Sequence, residues 1–354
     1  MTGFLNQDSS IPYTVASFFS GIGGFDLGFQ NAGFEVAVQC EIDTFCNQIL
    51  QQHWPNVPKY KDIRELDHAV IPASDVWVGG FPCQDVSVAR MGPRAGLRGK
   101  RSGLFYRFAE LISKCLPRII VIENVTGLLS SHGGRDFQII IRTLADLGYT
   151  VGWRVLNSRY FGVPQSRQRV YIVGCYRDQR GTAEILFEPE CSSGNVATRK
   201  QNGEGAISPF KTSFGDPSTG PLVPGIAYCL YACSARHTGT DWSRTYVTYP
   251  EGRVRRLIPV ECEGIQGFPI NWTLPNNLHN LPEDIEKLDT LRYTALGNAV
   301  SVPVVQWLAE RIIPVLQRYQ AEAVAVNLAS ANLHDYQVSV PAELAQSLAV
   351  IGQD

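Results

Sequence analysis

Short runs of β-branched residues alternate with longer amphipathic stretches through the first half of the chain, and few folds accommodate such an alternation. It is typical of parallel strands joined by crossover helices. The candidate strands are residues 15–19, 36–40, 76–79, 119–122, 151–156 and 170–173. The candidate helices are residues 44–52, 104–115 and 137–147. We therefore predict an α/β fold with a doubly wound, mostly parallel sheet.

Residues 175–252 differ in character, because they are rich in Gly, Pro, Ser and Thr and show no sustained period. This favours a smaller, irregular unit inserted into the main domain. The apolar residues 302–316 predict a helix that returns to the main domain, and Pro303 and Pro314 limit that helix to the stretch between them. We predict a main domain of residues 12–175 plus 285–320, an inserted unit with its return segment at 176–284, and a tail at 321–354 of unassigned role.

The composition excludes several classes of protein. No stretch approaches the roughly 20 uninterrupted apolar residues needed to span a bilayer, and the first residues lack the basic start and apolar core of a signal peptide. The nine cysteines contain no CxxC pair, which fits neither a zinc knuckle nor a disulfide framework. These features predict a cytoplasmic protein that enters no membrane and holds no metal.

Positive charge is concentrated in two places, although the net charge of the chain is only −2. Residues 86–109 hold six basic side chains and no acidic one, and Arg253, Arg255 and Arg256 form a second basic run. Such clusters can neutralise phosphates and release their condensed counterions. The pattern favours a polyanionic partner, with a solvated surface loop as the alternative.

A glycine-rich turn with the sequence SGIGG follows the first predicted strand at residues 20–24. Glycines there let the backbone turn tightly and approach a ligand. Glu41 follows the second predicted strand, where a carboxylate can accept hydrogen bonds from ribose hydroxyls. A dinucleotide fingerprint starting at Gly21 would need a third glycine where Asp26 stands, which disfavours a nicotinamide cofactor. The pattern favours an adenosine with a sulfonium side chain, and a purely structural turn is the alternative.

Chemically reactive side chains follow the third and fourth predicted strands. Cys83 is preceded by two glycines and Pro82, and the glycines leave room for a planar substrate above the thiol. Glu123 ends the next strand, so its carboxyl group should emerge at the same edge of the sheet. Arg167 and Arg169 alternate just before a later strand and should point the same way, towards the Cys83 loop or a phosphate. A buried structural thiol is the alternative for Cys83.

These blocks resemble the DNA cytosine-5 methyltransferase family, in the family's order, from about residue 14 to residue 317. The resemblance implies the fold of S-adenosylmethionine-dependent methyltransferases with a smaller, irregular target-recognition domain inserted. Ile258, Ile265 and Ala299 depart from the usual family residues, but all three lie outside the thiol and carboxyl positions. The matching blocks are FSGIGG at 19–24, CEID at 40–43, DI at 62–63, GGFPCQ at 79–84, RSGLF at 101–105, ENV at 123–125, QSRQR at 165–169, RRLIPVECEGIQGFP at 255–269 and YTALGNAV at 293–300.

The resemblance implies that S-adenosyl-L-methionine is the cofactor. Glu41 would bind the ribose, Ile42 would contact the adenine, and Asp62 would address the adenine edge with its neighbour. Asn298 would return from the far end of the chain to close the pocket. The implied cofactor-binding residues are Phe19, Ser20, Gly21, Gly23, Gly24, Glu41, Ile42, Asp62, Ile63, Pro82, Leu104, Asn298, Ala299 and Val300.

The resemblance also implies how cytosine would be activated. The Cys83 thiolate would add to C6 of a cytosine flipped out of the duplex, and Glu123 would donate a proton at N3. Arg167 would steady the exocyclic and phosphate side, with Arg169 and Gln84 completing the catalytic group. Loss of the C5 proton after methyl transfer would expel the thiolate and restore the aromatic ring.

Double-stranded DNA is the partner that the resemblance implies. Residues 88–100, rich in Gly and Arg, would close over the DNA and occupy the space that the base leaves. An ordinary surface loop is the alternative for the contacts in the inserted unit. A cognate restriction endonuclease is a further candidate partner, and we expect a monomer in a prokaryotic, nucleoid-associated setting. The candidate DNA contacts are Ser87, Arg90 and Arg98 in or beside the closing loop, and Arg236, His237, Thr238 and Arg244 in the inserted unit, where arginine can pair with guanine.

Three other functions are compatible with part of this pattern. A related branch methylates cytosine in transfer RNA, but its Cys-Phe-Thr signature does not occur in this sequence. A catalytically silent DNA-binding relative is disfavoured because Cys83 and Glu123 are both present. A nicotinamide oxidoreductase is disfavoured by Asp26 and by the Pro-Cys-Gln block.

Overall fold

The computed structural model describes residues 12–82, 103–188, 225–232, 245–249, 251, 253–276 and 285–338, with side chains up to residue 325. A seven-stranded sheet in the order β3-β2-β1-β4-β5-β8-β6 lies at its centre. β1 to β5 run parallel, whereas β8 is antiparallel to its two neighbours. The predicted doubly wound, mostly parallel sheet is therefore confirmed. The strands are β1 Thr14–Phe18, β2 Glu35–Cys40, β3 Lys59–Tyr60, β4 Val76–Gly79, β5 Ile119–Val125, β6 Tyr149–Asn157, β7 Gln165–Ser166 and β8 Gln168–Tyr176.

Two short ribbons lie outside this sheet. β9 (Ala227–Tyr228) pairs in parallel with β7, and β10 (Tyr246–Thr248) pairs antiparallel with β11 (Val254–Arg256). The pairing of β7 with β9 brings the segment 225–232 beside the QSRQR block. Part of the predicted inserted unit therefore lies against the main domain.

Helices cover both faces of the sheet, and their ends follow local chemistry. The Asp43 side chain accepts the backbone N–H of Cys46 at 2.8 Å and so caps α2, and Pro259 occupies the first position of α6, where its missing N–H has no cost. Gly267, at φ 85°, ends α6 in the left-handed conformation. The helices are α1 Gly24–Asn31, α2 Thr44–His53, α3 Gly103–Cys115, α4 Arg135–Asp146, α5 Gly181–Leu186, α6 Pro259–Gln266, α7 Ile285–Asn298 and α8 Val302–Val338.

The predicted end of the last helix was wrong. α8 continues through Pro314 to Val338 instead of stopping at the proline. A proline inside a helix removes one backbone hydrogen bond and costs about 3 kcal/mol. The preceding turns fully bury Val305 and Leu308, and burial of such side chains contributes about 1.5–3 kcal/mol each. Packing therefore outweighs the break that propensity predicts.

The chain divides into two compact units, residues 1–311 and 312–354, and the second unit contains the rest of α8. The predicted domain boundaries at 175, 284 and 320 stay a prediction. Residues 285–325 are apolar and long enough to cross a membrane by composition, yet 61% of their most apolar window is buried, as in the core helix of a globular protein.

The core lies on both faces of the sheet. One cluster packs Phe18, Trp77 and Phe108 between the sheet and α3, and the other packs Leu50 and Leu296 with residues of α2, α6 and α7. β4 is buried along its whole length, as expected for a parallel strand covered on both faces. The strand order reverses between β1 and β4, and in this class of sheet ligands bind outside the carboxyl ends of the strands at such a point.

Candidate active site

The glycine turn after β1 lies at this switch point and has a left-handed backbone. Phe19, Gly21 and Gly23 have φ values of 55°, 56° and 82°. The backbone N–H of Ser20 donates to the carbonyl of Cys40 at 3.1 Å, which ties the turn to the end of β2. A non-glycine residue such as Phe19 adopts positive φ only at a cost, and such strain is concentrated at ligand-binding backbone.

Glu41 holds the turn from the neighbouring strand. Its Oε2 accepts the backbone N–H of Gly21 at 2.7 Å, and its Oε1 accepts that of Asp43 at 2.7 Å. Burial raises the pKa of the Glu41 carboxyl, and the two backbone donors oppose that shift. Each carboxylate oxygen retains a lone pair beyond these bonds. Glu41 is thus both a structural tie and an acceptor at the crevice.

The far end of the chain closes onto the same turn. A β-carbon placed on Gly24 would lie 2.7 Å from Val300 Cγ2 and 3.2 Å from the Val300 carbonyl oxygen, so only glycine fits there. Ala299 and Val300 are buried, whereas Asn298 is exposed. The structure thus brings the GNAV segment against the SGIGG turn, although 276 positions separate Gly24 from Val300.

The residues predicted to face an adenine differ in their exposure to solvent. Ile42 is 55% exposed, which is unusual for a large apolar side chain beside a crevice, and Ile63 is buried. The Asp62 carboxylate pairs with the guanidinium of Arg64, and this hydrogen bond lowers the pKa of Asp62. Burial, helped by the charges of Glu41 and Asp62, raises the pKa of the Cys40 thiol to about 12. Leu104 and Pro82 are half-buried.

Glu123 lies at the carboxyl end of β5 and is only 8% exposed. A β-carbon on Gly80, at the end of β4, would lie 3.5 Å from Glu123 Oε2, so the two strand ends meet. Asn124 reaches the carbonyl of Phe81 at 3.5 Å. Arg169 Nε lies 3.0 Å from Glu123 Oε1 as an ion pair, yet this oxygen has no aligned hydrogen bond among the described residues. Burial raises the pKa of the Glu123 carboxyl, and the nearby guanidinium groups offset part of that rise.

Pro82 is the last residue that the structure describes directly after β4, at the edge of the sheet where Glu123 lies. Cys83 and Gln84 lie outside the described residues, and so do all seven predicted DNA contacts. Gly80 and Phe81 nevertheless fix where the GGFPCQ block begins, which is beside Glu123. The undescribed DNA contacts are Ser87, Arg90, Arg98, Arg236, His237, Thr238 and Arg244.

The two arginines of the QSRQR block point the same way but have different partners. Both guanidinium groups approach the Cys229 sulfur, at 3.5 Å from Arg167 and 3.8 Å from Arg169. Arg169 pairs with Glu123, whereas the four Nη hydrogens of Arg167 go to that sulfur and to three backbone carbonyls. The fifth donor of Arg167, Nε, is buried and has no partner among the described residues, so a phosphate could be bound only through that nitrogen without breaking one of these bonds. The geometry favours Arg167 as a support of the surrounding backbone.

Sequence reasoning missed two glutamines beside this arginine. Gln165 Nε2 donates to the Ile265 carbonyl at 3.0 Å and to Gln266 Oε1 at 3.2 Å, and Gln266 Nε2 donates to the Leu296 carbonyl at 2.8 Å. Both side chains are fully buried. The available signal was their position inside the QSRQR and RRLIPVECEGIQGFP blocks, where only the arginines were considered.

Comparison with known proteins places this chain in a family. The family described as C-5 cytosine-specific DNA methylase matches residues 13–213 and 189–314. The Type II methyltransferase M.NgoBI of Neisseria gonorrhoeae is 32% identical over 310 residues, covering 83% of this chain and 91% of that protein. The Type II methyltransferase M.SsoII of Shigella sonnei is 30% identical over 322 residues, covering 86% and 81%.

Solved structures agree on the fold. The Entamoeba histolytica methyltransferase EhMeth superposes with a TM-score of 0.61 at 18% identity, covering 87% of this chain and 99% of that one. The S. pombe Dnmt2 methyltransferase gives 0.62 at 18% identity, with 86% and 99% covered. A glycine turn closed by the GNAV segment, and a buried carboxyl group beside the GGFPCQ block, thus occur in a chain that matches one family over most of its length. The chain belongs to the C-5 cytosine-specific DNA methylases, the DNA cytosine-5 methyltransferases.

Proposed function

We propose that this methyltransferase acts on a flipped cytosine in a specific double-stranded DNA sequence, with Cys83 as its covalent nucleophile and S-adenosyl-L-methionine as methyl donor. One observation carries the proposal. The buried Glu123 carboxyl, whose pKa burial raises, lies beside Gly80, three residues before Cys83. A thiol and a protonated carboxyl at adjacent strand ends can address one pyrimidine ring from two sides.

The crevice fits the proposed donor. Glu41 keeps lone pairs for ribose hydroxyls, and the exposed Ile42 offers an apolar surface that an adenine would cover. The left-handed turn at Gly21 and Gly23 leaves backbone open to a ligand where a side chain would block it. When bound, S-adenosylmethionine supplies an electrophilic methyl group. Ala299 and Val300 would exclude water from the same side of the pocket.

The protein's own groups activate the base. The Cys83 thiolate adds to C6, which places negative charge on the ring. Glu123 donates its proton to N3 and neutralises that charge, so that the ring becomes nucleophilic at C5. Arg169 holds the Glu123 carboxyl in place at 3.0 Å. Once C5 is methylated, a base takes the C5 proton, the electrons of that bond return to the ring, and the thiolate leaves C6. N3 then returns its proton to the Glu123 carboxylate.

The substrate requirements follow from this chemistry. C6 is inaccessible inside a stacked duplex, so the cytosine must be extruded at a cost of a few kcal/mol. The basic residues between positions 90 and 101 are suited to hold the backbone on either side, whereas Arg107 is paired with Glu110 and bound to the carbonyls of Ile63 and Leu66. We further propose that the protein is a cytoplasmic monomer, that residues 88–100 close over the DNA, and that a cognate restriction endonuclease accompanies it.

Methylation in cells tests the reaction. Bisulfite sequencing of DNA from cells that express the chain should show 5-methylcytosine in one sequence context, and none with Cys83→Ser. Cys115→Ser is the matched control, because that half-buried thiol lies at the far end of α3 and should be dispensable. A duplex carrying 5-fluorocytosine at the modified position should form a covalent adduct with the wild type but not with Cys83→Ser. Retained methylation by Cys83→Ser would refute the nucleophile.

A further inference from the structure

Arg167 joins a segment of the predicted target-recognition unit to a segment of the proposed cofactor pocket. Its side chain is 2% exposed. Nη1 donates to the Leu230 carbonyl at 3.0 Å, on the segment that follows β9 in the predicted recognition unit. Nη2 donates to the carbonyls of Gly297 at 3.2 Å and Ala299 at 2.7 Å, which flank the exposed Asn298 of the proposed cofactor pocket. One guanidinium plane thus holds both segments.

A second, independent contact joins the same two segments. A β-carbon on Gly297 would lie 2.2 Å from the Tyr231 carbonyl carbon and 2.3 Å from the Ala232 nitrogen. Both of those atoms are backbone, so they cannot rotate away as a flexible side chain would. The segment 230–232 therefore rests directly on the end of α7 at a position that only glycine permits.

The buried glutamines extend this junction. The Leu230 N–H donates to Gln165 Oε1 at 3.2 Å, while Gln165 contacts Gln266, which in turn donates to the Leu296 carbonyl. Bonds inside a low-dielectric interior are strong, and leaving a partner unpaired there is costly. Leu230 cannot move relative to α7 without breaking several of them together.

We propose that Arg167 is a positioning residue that couples DNA binding to cofactor affinity. The proposal rests on the proposed function, with S-adenosylmethionine and DNA as ligands, and on the predicted target-recognition unit that contains residues 230–232. DNA that fixes the segment 230–232 also fixes, through Arg167, the carbonyls on either side of Asn298. The cofactor then binds a site that is already ordered, and reciprocity requires the cofactor to strengthen DNA binding by the same factor.

Arg167→Lys tests whether the coupling depends on the shape of the side chain or only on its positive charge. Arg167→Lys keeps the positive charge, but an ammonium group cannot reproduce the planar fork that reaches Leu230 and Ala299 at once. We expect duplex DNA carrying the methylation site to tighten binding of S-adenosylhomocysteine to the wild type by about tenfold, a typical coupling. In Arg167→Lys the two affinities, measured by calorimetry with and without the duplex, should agree within about twofold.

Arg292→Lys is the matched control. Arg292 is another buried arginine and lies on α7, the helix that contains Gly297. It pairs with Glu263, and among the described residues no hydrogen bond joins it to the three carbonyls that Arg167 holds. If both lysine variants lose stability but only Arg167→Lys loses the difference between the two affinities, coupling belongs to Arg167. Equal coupling in Arg167→Lys and wild type, or equal loss in both variants, would overturn the proposal.

Gly297→Ala offers a second route should Arg167→Lys not fold. The added methyl group must displace the backbone of Tyr231 and Ala232, so this variant should also lose the coupling while Arg167 keeps its fork. Retained coupling in Gly297→Ala would count against the junction. A wild type that binds no S-adenosylhomocysteine at all would instead refute the proposed cofactor, which distinguishes the two failures.

Discussion

Glu123 combines burial with an incomplete set of partners. Its carboxyl lies at a strand end, faces one arginine, and has an oxygen without an aligned hydrogen bond among the described side chains. Desolvation disfavours the charged form, so the pKa rises and the group retains its proton at higher pH than an exposed carboxyl. A carboxyl group in that state can donate to a ring nitrogen, which an ionised one cannot do.

Replacing Glu123 by glutamine should slow methyl transfer by about 100-fold, because the side chain keeps its shape but has no acidic proton to give. A general acid works below its pKa, so the wild-type rate should fall as pH rises through the raised pKa of Glu123. That descending limb should be absent in Glu123→Gln. Single-turnover methyl transfer, measured across a pH series, checks both points. A variant with the wild-type rate and pH profile would rule out proton donation.

The positions of Glu41 and Glu123 at the sheet edge could be predicted because each residue follows a recognisable strand. Glu41 and Glu123 come directly after β-branched runs, and the parallel topology then brings them to one edge. The partners of Arg167 could not be found this way. Three of the four are backbone carbonyls at residues 230, 297 and 299, which carry no side-chain signal and meet only after the chain has folded.

At the scale of elements, one buried side chain joins β1, β2 and α1. Asp26, in the first turn of α1, accepts the Ser17 hydroxyl at 3.0 Å and the Gln39 amide at 2.8 Å. Desolvation nevertheless raises its pKa to about 6. The sequence identified Asp26 only as the residue that breaks a dinucleotide fingerprint, whereas its location under the turn depends on packing.

Asp26→Asn should remove a pH-dependent loss of stability. A carboxyl whose pKa is raised in the folded state stabilises the fold while protonated, and this contribution disappears as pH rises from about 4 to about 6. The cost of ionised Asp26 at pH 7 is about 3 kcal/mol at most. Gln39 Oε1 has no hydrogen-bond partner among the described residues. Once the Gln39 amide group rotates, this oxygen can accept a hydrogen bond from the amide of the new asparagine.

Urea unfolding of both chains at pH 4 and pH 7 measures this effect. We expect Asp26→Asn to gain stability relative to the wild type as pH rises, since the difference between the two chains cancels other titrating groups. Parallel stability curves would show that Asp26 does not titrate in this range.

Elements were predicted where the pattern was long and local. The three predicted helices match α2, α3 and α4 within about two residues, a normal uncertainty for helix ends. The two-residue strand β3 has too little sequence for any periodicity, and it forms because its backbone continues the ladder of β2. The predicted end of α8 was wrong for the opposite reason. Pro314 is a strong local signal for a helix end, but packing overrides it.

At the scale of the whole molecule, a buried ion pair fastens the segment after α6 to α7. Glu263 accepts the backbone N–H groups of Asn271 and Thr273 at 2.7 Å and 2.8 Å, and Arg292 Nη2 at 3.1 Å. The glutamate is fully buried and the arginine is 8% exposed. Removing one partner leaves an uncompensated charge inside the protein, which is more costly than the intact pair is stabilising.

Arg292→Met should therefore lower the free energy of unfolding by about 3–5 kcal/mol. Arg142→Met is the surface control, since Arg142 is 79% exposed and 3.7 Å from Asp146, and it should cost less than about 1 kcal/mol. Thermal or urea unfolding of the two variants gives the comparison. Similar losses in both would mean that the Glu263 carboxylate finds another partner.

The closure of Val300 onto Gly24 also sets an order in time. During translation the glycine turn at residues 20–24 and the carboxyl groups of Glu41 and Glu123 leave the ribosome long before residue 300. A product that ends before the YTALGNAV block at residues 293–300 lacks Val300 and therefore cannot cover Gly24. The turn is covered only in chains that have been extended past that point.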